Sequence, residues 1–191
     1  MAACIVNLSS ILPDCAALTS TAGVRDFLYA CRKADITAIV GGAGAVVTAV
    51  TITATKLKKI QGRKFQNSGD FTLSKNAVGK TRFKQVFNVT VYYRDQVSRA
   101  AMEQYALVED LVIFSPNNDN QIEIYGLSVG LAPASLKGGT GVKLDDNNTA
   151  LFAFEGEEPH LPAVYNTVST PTTEDADMLT NLAVLDAMVG A

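Results

Sequence analysis

The sequence lacks most of the residues from which catalytic and metal sites are built. It has no tryptophan, one histidine, His160, and three cysteines, Cys4, Cys15 and Cys31. A single imidazole excludes a two-histidine metal site and a His–His proton relay. Three cysteines near one end of 191 residues do not form a disulfide framework, so we expect reduced, structural thiols. We therefore expect no catalytic residue, no metal site and no enzymatic activity.

Long apolar runs and targeting signals are also missing. No uninterrupted apolar stretch approaches the roughly 18 residues that a membrane-spanning helix needs. The first residues, 1–7, have no basic segment of the kind that opens a signal peptide. We expect a protein that is neither secreted nor embedded in a membrane.

Two stretches resemble phosphate-binding loops without matching them. Residues 78–81 read Val-Gly-Lys-Thr, but the first glycine of that motif would fall at Ser74. Residues 41–44 are glycine-rich, yet Val47 stands where a dinucleotide fingerprint needs Gly or Ala. We expect turns at both places and no cofactor. The acids Glu155, Glu157 and Glu158 are interpreted as a solvated or interface patch.

Charge is separated along the chain. Residues 56–99 carry eleven Lys/Arg against two acids, and residues 100–191 carry fourteen acids against two lysines. Two interpretations remain open. The blocks either complement each other within one fold, or the basic segment of one copy meets the acidic surface of another, which would favour encounter and register between subunits.

The hydrophobic pattern predicts a mainly β protein with one flanking helix. Residues 95–107 place apolar side chains on one helical face. Two apolar runs around the Pro/Asn/Asp cluster at 115–120 predict a β-hairpin over 111–131, and 148–158 predicts a last strand. Strands are also expected at 24–32, 36–40, 46–57 and 81–93. The strand at 46–57 is moderately apolar on both faces, as expected where one face packs and the other touches a second surface.

The remaining segments are predicted to be irregular. We expect an N-terminal arm over 1–20, a domain over 21–160 with long loops at 60–80 and 132–147, and a C-terminal arm over 161–191. The arm ends in a short helix with an apolar stripe that includes Met178, Leu182 and Leu185. Docking of this helix on its own domain and docking on a neighbouring copy are both open, and the second is preferred.

Several stretches, taken in order, resemble one family. They are Asn-Ser-Gly-Asp at 67–70, the strand 83–91, the helix, the hairpin 111–127, Gly-Gly-Thr-Gly at 138–141 and Leu-Phe-Ala-Phe-Glu-Gly-Glu-Glu-Pro at 151–159. Their order is similar to that of bacteriophage tail-tube-type proteins, like those of Bacteroidetes-infecting and crAss-like phages. The likeness covers about 20–160, and the C-terminal arm departs from a simple tube subunit and favours a specialised ring or collar protein.

The resemblance implies a β-sandwich or half-barrel that assembles as a homo-oligomeric ring, hexamer-based, in a virion tail. Such a ring would contact other tail, portal or adaptor proteins and form part of the channel for genome or protein ejection, after assembly in the host cytoplasm. Inner-barrel strands would contain Val50, Ile52, Phe87, Val89 and Val91. Ring-to-ring contacts would use Arg63, Lys64, Phe65, Lys75, Lys80, Met178, Leu182 and Leu185.

A channel for DNA must not grip phosphates. We therefore expect the Lys/Arg of 56–99 to face ring contacts, and acids and Thr/Asn/Gln to line the lumen. Two stand-alone binding modules are alternatives. A carbohydrate-binding β-sandwich would need loop aromatics that 115–120 and 132–147 lack. A nucleic-acid-binding module would rest on the basic block, with Phe65 and Phe71 for base stacking.

Overall fold

The computed structural model describes residues 23–41, 46–75, 80–92, 96–139, 149–168 and 174–189. Within them the chain is mainly β, with 57% of residues in strands, and forms a curled seven-stranded half-barrel sheet, a second sheet and two helices. The predicted fold class is confirmed. The expected N-terminal arm over 1–20 lies outside the described residues.

Eleven strands and two helices follow one another along the described chain. They are β1 (Phe27–Arg32), β2 (Ile36–Gly41), β3 (Val46–Ile52), β4 (Lys58–Gln61), β5 (Ser68–Lys75), β6 (Thr81–Tyr92), α1 (Gln96–Ala106), β7 (Leu111–Pro116), β8 (Ile122–Tyr125), β9 (Ala132–Gly139), β10 (Thr149–Glu158), β11 (Ala163–Tyr165) and α2 (Glu174–Met188). The charged residues 33–35 form a 3-10 turn between β1 and β2.

The strands form two sheets. The larger has the order β2-β3-β11-β8-β7-β1-β4, and the smaller has the order β5-β6-β10-β9. Neighbours are antiparallel except β3 and β11, which are parallel. The longest ladder joins β6 to β10 over ten residue pairs, from Thr149 opposite Tyr92 to Glu158 opposite Phe83. This ladder is the backbone of the smaller sheet.

Alternation along β1, β7 and β8 builds two hydrophobic clusters on opposite faces of the larger sheet. Leu28, Ile113 and Tyr125 point into the core between the sheets, where they meet Phe87 and Phe154. Successive strand residues face opposite ways. Their neighbours therefore form the second cluster, in which Tyr29, Cys31, Val112, Phe114 and Ile124 pack with side chains of α2.

The two sheets approach closely where β5 passes the larger sheet. Gly69 lies opposite Phe87 across the β5–β6 ladder. A Cβ atom at Gly69 would collide with the ring and hydroxyl of Tyr125. Glycine is therefore required here because the Tyr125 ring occupies the space of a side chain, a use of glycine that permits close approach between elements.

The long loops predicted at 60–80 and 132–147 are wrong in part, since β5 and β9 run through them. Both strands lie at sheet edges, and most of their residues are exposed. An edge strand is held by its backbone ladder, so its side chains need no apolar pattern. For this reason both strands contain residue types that are common in loops, namely Gly69 and Asp70 in β5, and Pro133 and Gly138 in β9.

The predicted C-terminal arm belongs to the domain as far as the structure describes it. β11 is inserted between β3 and β8 in the larger sheet. The helix after it, α2, packs on the second hydrophobic cluster of its own chain. Residues 163–165 and 174–188 therefore complete the fold and do not leave it.

Candidate assembly surfaces

Among the described strands, β2, β4, β5 and β9 lie at sheet edges. Natural proteins protect edges with short strands, lysine, proline or a covering element. β4 has four residues, including Lys58 and Lys59, and β9 contains Pro133 and Lys137. β5 contains Asp70 and ends at Lys75. The edge strand β2 has no charged residue and no proline, and only two irregularities in its ladder to β3 interrupt it.

The hairpin of β2 and β3 is exposed and uncharged. Residues 36–55 contain no Asp, Glu, Lys or Arg. Five of the six β2 residues are exposed, and the apolar side chains Ile39, Val40 and Val46 are 40%, 58% and 41% exposed. An unprotected apolar edge is a template for pairing with another chain. The charge-free run is visible in the sequence, but its position at an edge is not.

The β4–β5 turn holds the first group of predicted contact residues. Phe65 is 80% exposed and has a positive φ of 62°. The Lys64 ammonium lies 5.0 Å from the Phe65 ring centroid, and the Arg63 guanidinium lies 5.8 Å from the Tyr92 ring centroid. Arg63 also donates its backbone N–H to the carbonyl of Thr90 at 2.6 Å. Cationic and aromatic groups are thus presented together on a turn that is fixed to β6.

Lys75 and Lys80 lie at the other end of β5. Lys75 is the last residue of that strand, opposite Thr81 at the start of β6. The strand has eight residues, which corresponds to roughly 25 Å at about 3.3 Å per residue. The five predicted contact residues at the surface therefore form two groups at opposite ends of the smaller sheet. The structure does not bring them together.

The other predicted site residues are buried, except Ile52, which is partly buried. Met178, Leu182 and Leu185 are 1%, 9% and 0% exposed within the second hydrophobic cluster, so they are occupied within their own chain. Val50 and Ile52 belong to the same cluster, whereas Phe87, Val89 and Val91 lie in the core between the sheets. Because β3 and β6 are in different sheets, these five side chains share no single surface.

Polar contacts fix α2 near its C-terminus and at its middle. Near its C-terminus, Asp186 Oδ1 accepts hydrogen bonds from Tyr29 Oη and Lys59 Nζ, both at 2.8 Å. The Lys59 hydrogen bond, with a smaller contribution from Tyr29, lowers the pKa of Asp186, and burial beside that carboxylate raises the pKa of Tyr29. Near the middle, Asn181 Oδ1 accepts from the backbone N–H and the hydroxyl of Thr167. Sequence reasoning missed these contacts because they join residues far apart in the chain.

Residues of the basic and acidic blocks form ion pairs within one chain. Lys84 Nζ lies 2.7 Å from Glu155 Oε2, and Lys59 pairs with Asp186. The third acid of the predicted patch, Glu158, is buried, and its carboxylate accepts the backbone N–H groups of Ser128, Val129 and Gly130. Internal complementarity therefore accounts for part of the charge separation, and Glu158 holds a bend of the chain.

No metal or thiol chemistry emerges from the described residues. No group of three or more His, Cys, Asp and Glu side chains there could hold a metal ion. Burial raises the pKa of Cys31 to about 12, so its thiol is protonated at neutral pH and a poor nucleophile. In the same part of the chain, no helix has the length and apolarity to cross a bilayer.

Comparison with known proteins gives no relative from which a role can be transferred. Neither a protein-family model, nor a curated protein, nor a solved structure matches this chain.

Proposed function

We propose that this protein is a structural virion protein of a bacteriophage tail, which assembles as a ring of identical copies around an ejection channel. The observation that carries the assembly is the uncharged, exposed edge of β2. The attribution to a phage tail is supported by the resemblance of 20–160 to tail-tube-type proteins in the order of their elements. A hexamer-based ring is the assembly that this resemblance implies.

Ring closure would pair the β2 edge of one copy with an edge strand of the next. β5 suits this role, since it is eight residues long and its exposed Phe71 and Leu73 complement the apolar β2. A contact between two different edges is heterologous, and it forms a closed ring when the rotation between copies closes. Pairing would also cover the one described edge strand that has neither a charged residue nor a proline.

The same hairpin suits the wall of a channel. Its exposed side chains include Thr37, Thr48 and Thr51 and no ion. A wall without cations does not hold the phosphates of passing DNA. The basic turn at Arg63–Lys64–Phe65 and the lysines Lys75 and Lys80 would then lie at opposite ends of the ring wall, where stacked rings or neighbouring tail proteins would bind.

Light scattering after size exclusion, with negative-stain images of the same fraction, tests the assembly. We expect rings with an open centre for the natural sequence. Val40→Glu should leave a monomer of 20.2 kDa, because a charge on the edge blocks strand pairing. Val129→Glu is the matched control, since Val129 is 57% exposed, as Val40 is 58%, but lies outside the strands. A monomeric natural protein, or equal loss of rings in both variants, would contradict the proposal.

A second candidate is a module that binds single-stranded nucleic acid. The specific observation is the exposed Phe65 with Lys64 and Arg63 beside it and Tyr92 below, since bases stack on aromatic side chains flanked by cations. Fluorescence anisotropy of a labelled single-stranded oligonucleotide at rising salt tests it. Phe65→Ala should weaken binding at least tenfold, at about 1–3 kcal/mol per stacked base. Leu179→Ala, 66% exposed on α2, should have no effect.

A further inference from the structure

A cavity of about 690 Å³ lies where the two sheets diverge beneath α1. Its inner wall is formed by apolar side chains of β6 and β10, among them Val91, Phe152 and Phe154. The outer wall is α1, which contributes Ala101, Met102 and Tyr105. Ligand sites in proteins are clefts of roughly 300–1,000 Å³ with mostly hydrophobic walls and a few placed polar groups. This cavity has that size and character.

The helix that covers the cavity, α1, is only partly buried. No residue of α1 is buried, and Val97 in its first turn is 77% exposed. Met102 and Tyr105 are only partly buried against the core between the sheets. A helix with an apolar face over an apolar cavity can admit a ligand by a small displacement, because little packing must be lost.

Four cationic side chains line the cavity, Arg32, Lys56, Lys58 and Lys59, together with the carboxylate of Asp35. Lys58 lies directly opposite Ala30 in the β1–β4 ladder, as Ile60 lies opposite Leu28. Residues directly opposite each other project from the same face. Because Leu28 and Ala30 belong to the core between the sheets, Lys58 lies on the cavity side of β4. Arg32, also at the opening, is already paired with Asp110 at 2.9 Å. Among the ion pairs of the described residues, none includes Lys58.

Tyr105 adds a polar group inside. Burial raises the pKa of its hydroxyl to about 12, so it stays a hydrogen-bond donor at neutral pH. No described residue supplies a hydrogen-bond partner for it. A mostly apolar chamber, with the phenols of Tyr92 and Tyr105 and with Lys56 and Lys58 in its lining, complements a molecule that has an acyl chain and a single anionic head. We propose that the cavity binds a long-chain fatty acid, with the acyl chain under α1 and the carboxylate at Lys58.

Fluorescence titration with cis-parinaric acid and its methyl ester, on protein purified without detergent, tests this site in whatever assembly the protein forms. We expect saturable, equimolar binding of the acid. Lys58→Gln should weaken binding of the acid about tenfold, the loss of one hydrogen bond to a charged group, and leave binding of the ester unchanged. Lys137→Gln, an exposed lysine on β9 that does not line the cavity, should change neither.

Ala101→Phe should abolish binding of both probes, because the new ring fills the chamber. Its fold is checked by circular dichroism, and the Lys58 variant tests the site separately if the Ala101 variant does not fold. Absence of saturable binding, equal affinity of acid and ester for the natural protein, or undiminished binding by a folded Ala101→Phe variant would overturn the proposal.

Discussion

The two helices differ in what their sequences indicate and in how deeply they are buried. α1 has a clear amphipathic pattern, yet it lies on the opening between the sheets with no buried residue. α2 was expected to dock on a neighbouring copy, yet it lies against β1, β3, β7, β8 and β11, with Met178 and Leu185 almost fully buried. The cluster that contains α2 takes side chains from β3, near one end of the sheet order, and from β1, near the other, and the sheet is curled. Burial of a helix thus depends on the curvature of its support, which amphipathicity does not reveal.

The largest expected effect is on the buried face of α2. Leu185→Ala should lower the free energy of unfolding by about 3 kcal/mol, since it leaves a cavity within the curled sheet. Val97→Ala on α1 should change it by less than about 0.5 kcal/mol, the usual range for surface positions. Urea denaturation followed by circular dichroism measures both. Similar losses in the two variants would show that the helices are not as different as their burial indicates.

A second prediction concerns the amide that joins α2 to the chain after β11. Asn181→Ala should lower the free energy of unfolding by about 2 kcal/mol, because the partly buried N–H and hydroxyl of Thr167 both lose their acceptor, at about 1 kcal/mol each. Thr180→Ala, its exposed neighbour on the same helix, is the control. The same denaturation experiment compares them. An Asn181 variant as stable as the control would mean that water replaces the amide.

Period and turn residues were sufficient to predict α1, the β7–β8 hairpin, β6 and β10, because each has a regular set of apolar side chains on the face that it turns toward the core. β5 and β9 were missed. Such an edge strand is held by backbone hydrogen bonds to a neighbouring strand, and a local pattern of apolar residues does not reveal that neighbour. The candidate site divides in the same way. The turn at 63–65 lies at the surface, as its largely polar composition predicts. The apolar stripe of α2, in contrast, could not show which surface covers it.

On α1, the effect of a cavity-lining residue should be smaller. Met102→Ala should lower the free energy of unfolding by about 1 kcal/mol, because its side chain is only partly buried against the core. Leu107→Ala, 82% exposed just beyond the helix, should have no measurable effect. Thermal unfolding compares the two. If Met102→Ala lowered the free energy of unfolding as much as Leu185→Ala, α1 would be packed as tightly as α2.

The smallest expected effect is the pH dependence that Asp186 gives to α2. Its pKa is lowered from 3.8 in the folded chain, chiefly by the hydrogen bond from Lys59. A group whose pKa is depressed by folding stabilises the protein above its unfolded pKa, and this stabilisation is lost as pH falls through the folded value. The side chains of Asp186 and Lys59 are 50% and 38% exposed, so solvent screening limits the effect to less than about 1 kcal/mol.

Asp186→Asn should therefore be slightly less stable than the natural protein at pH 7, and the difference should shrink once the pH falls well below 3.8. Urea denaturation at both pH values measures it, with Glu109→Gln, an exposed acid before β7, as the control. Tyr29→Phe removes the hydrogen bond that the phenol donates to Asp186 and keeps the Lys59–Asp186 ion pair. Its loss of stability should persist at low pH, because a protonated carboxyl still accepts a hydrogen bond from a phenol. A pH-independent difference between Asp186→Asn and the natural protein would mean that the helix is held by its buried face alone, and the contrast between α1 and α2 would then be one of packing only.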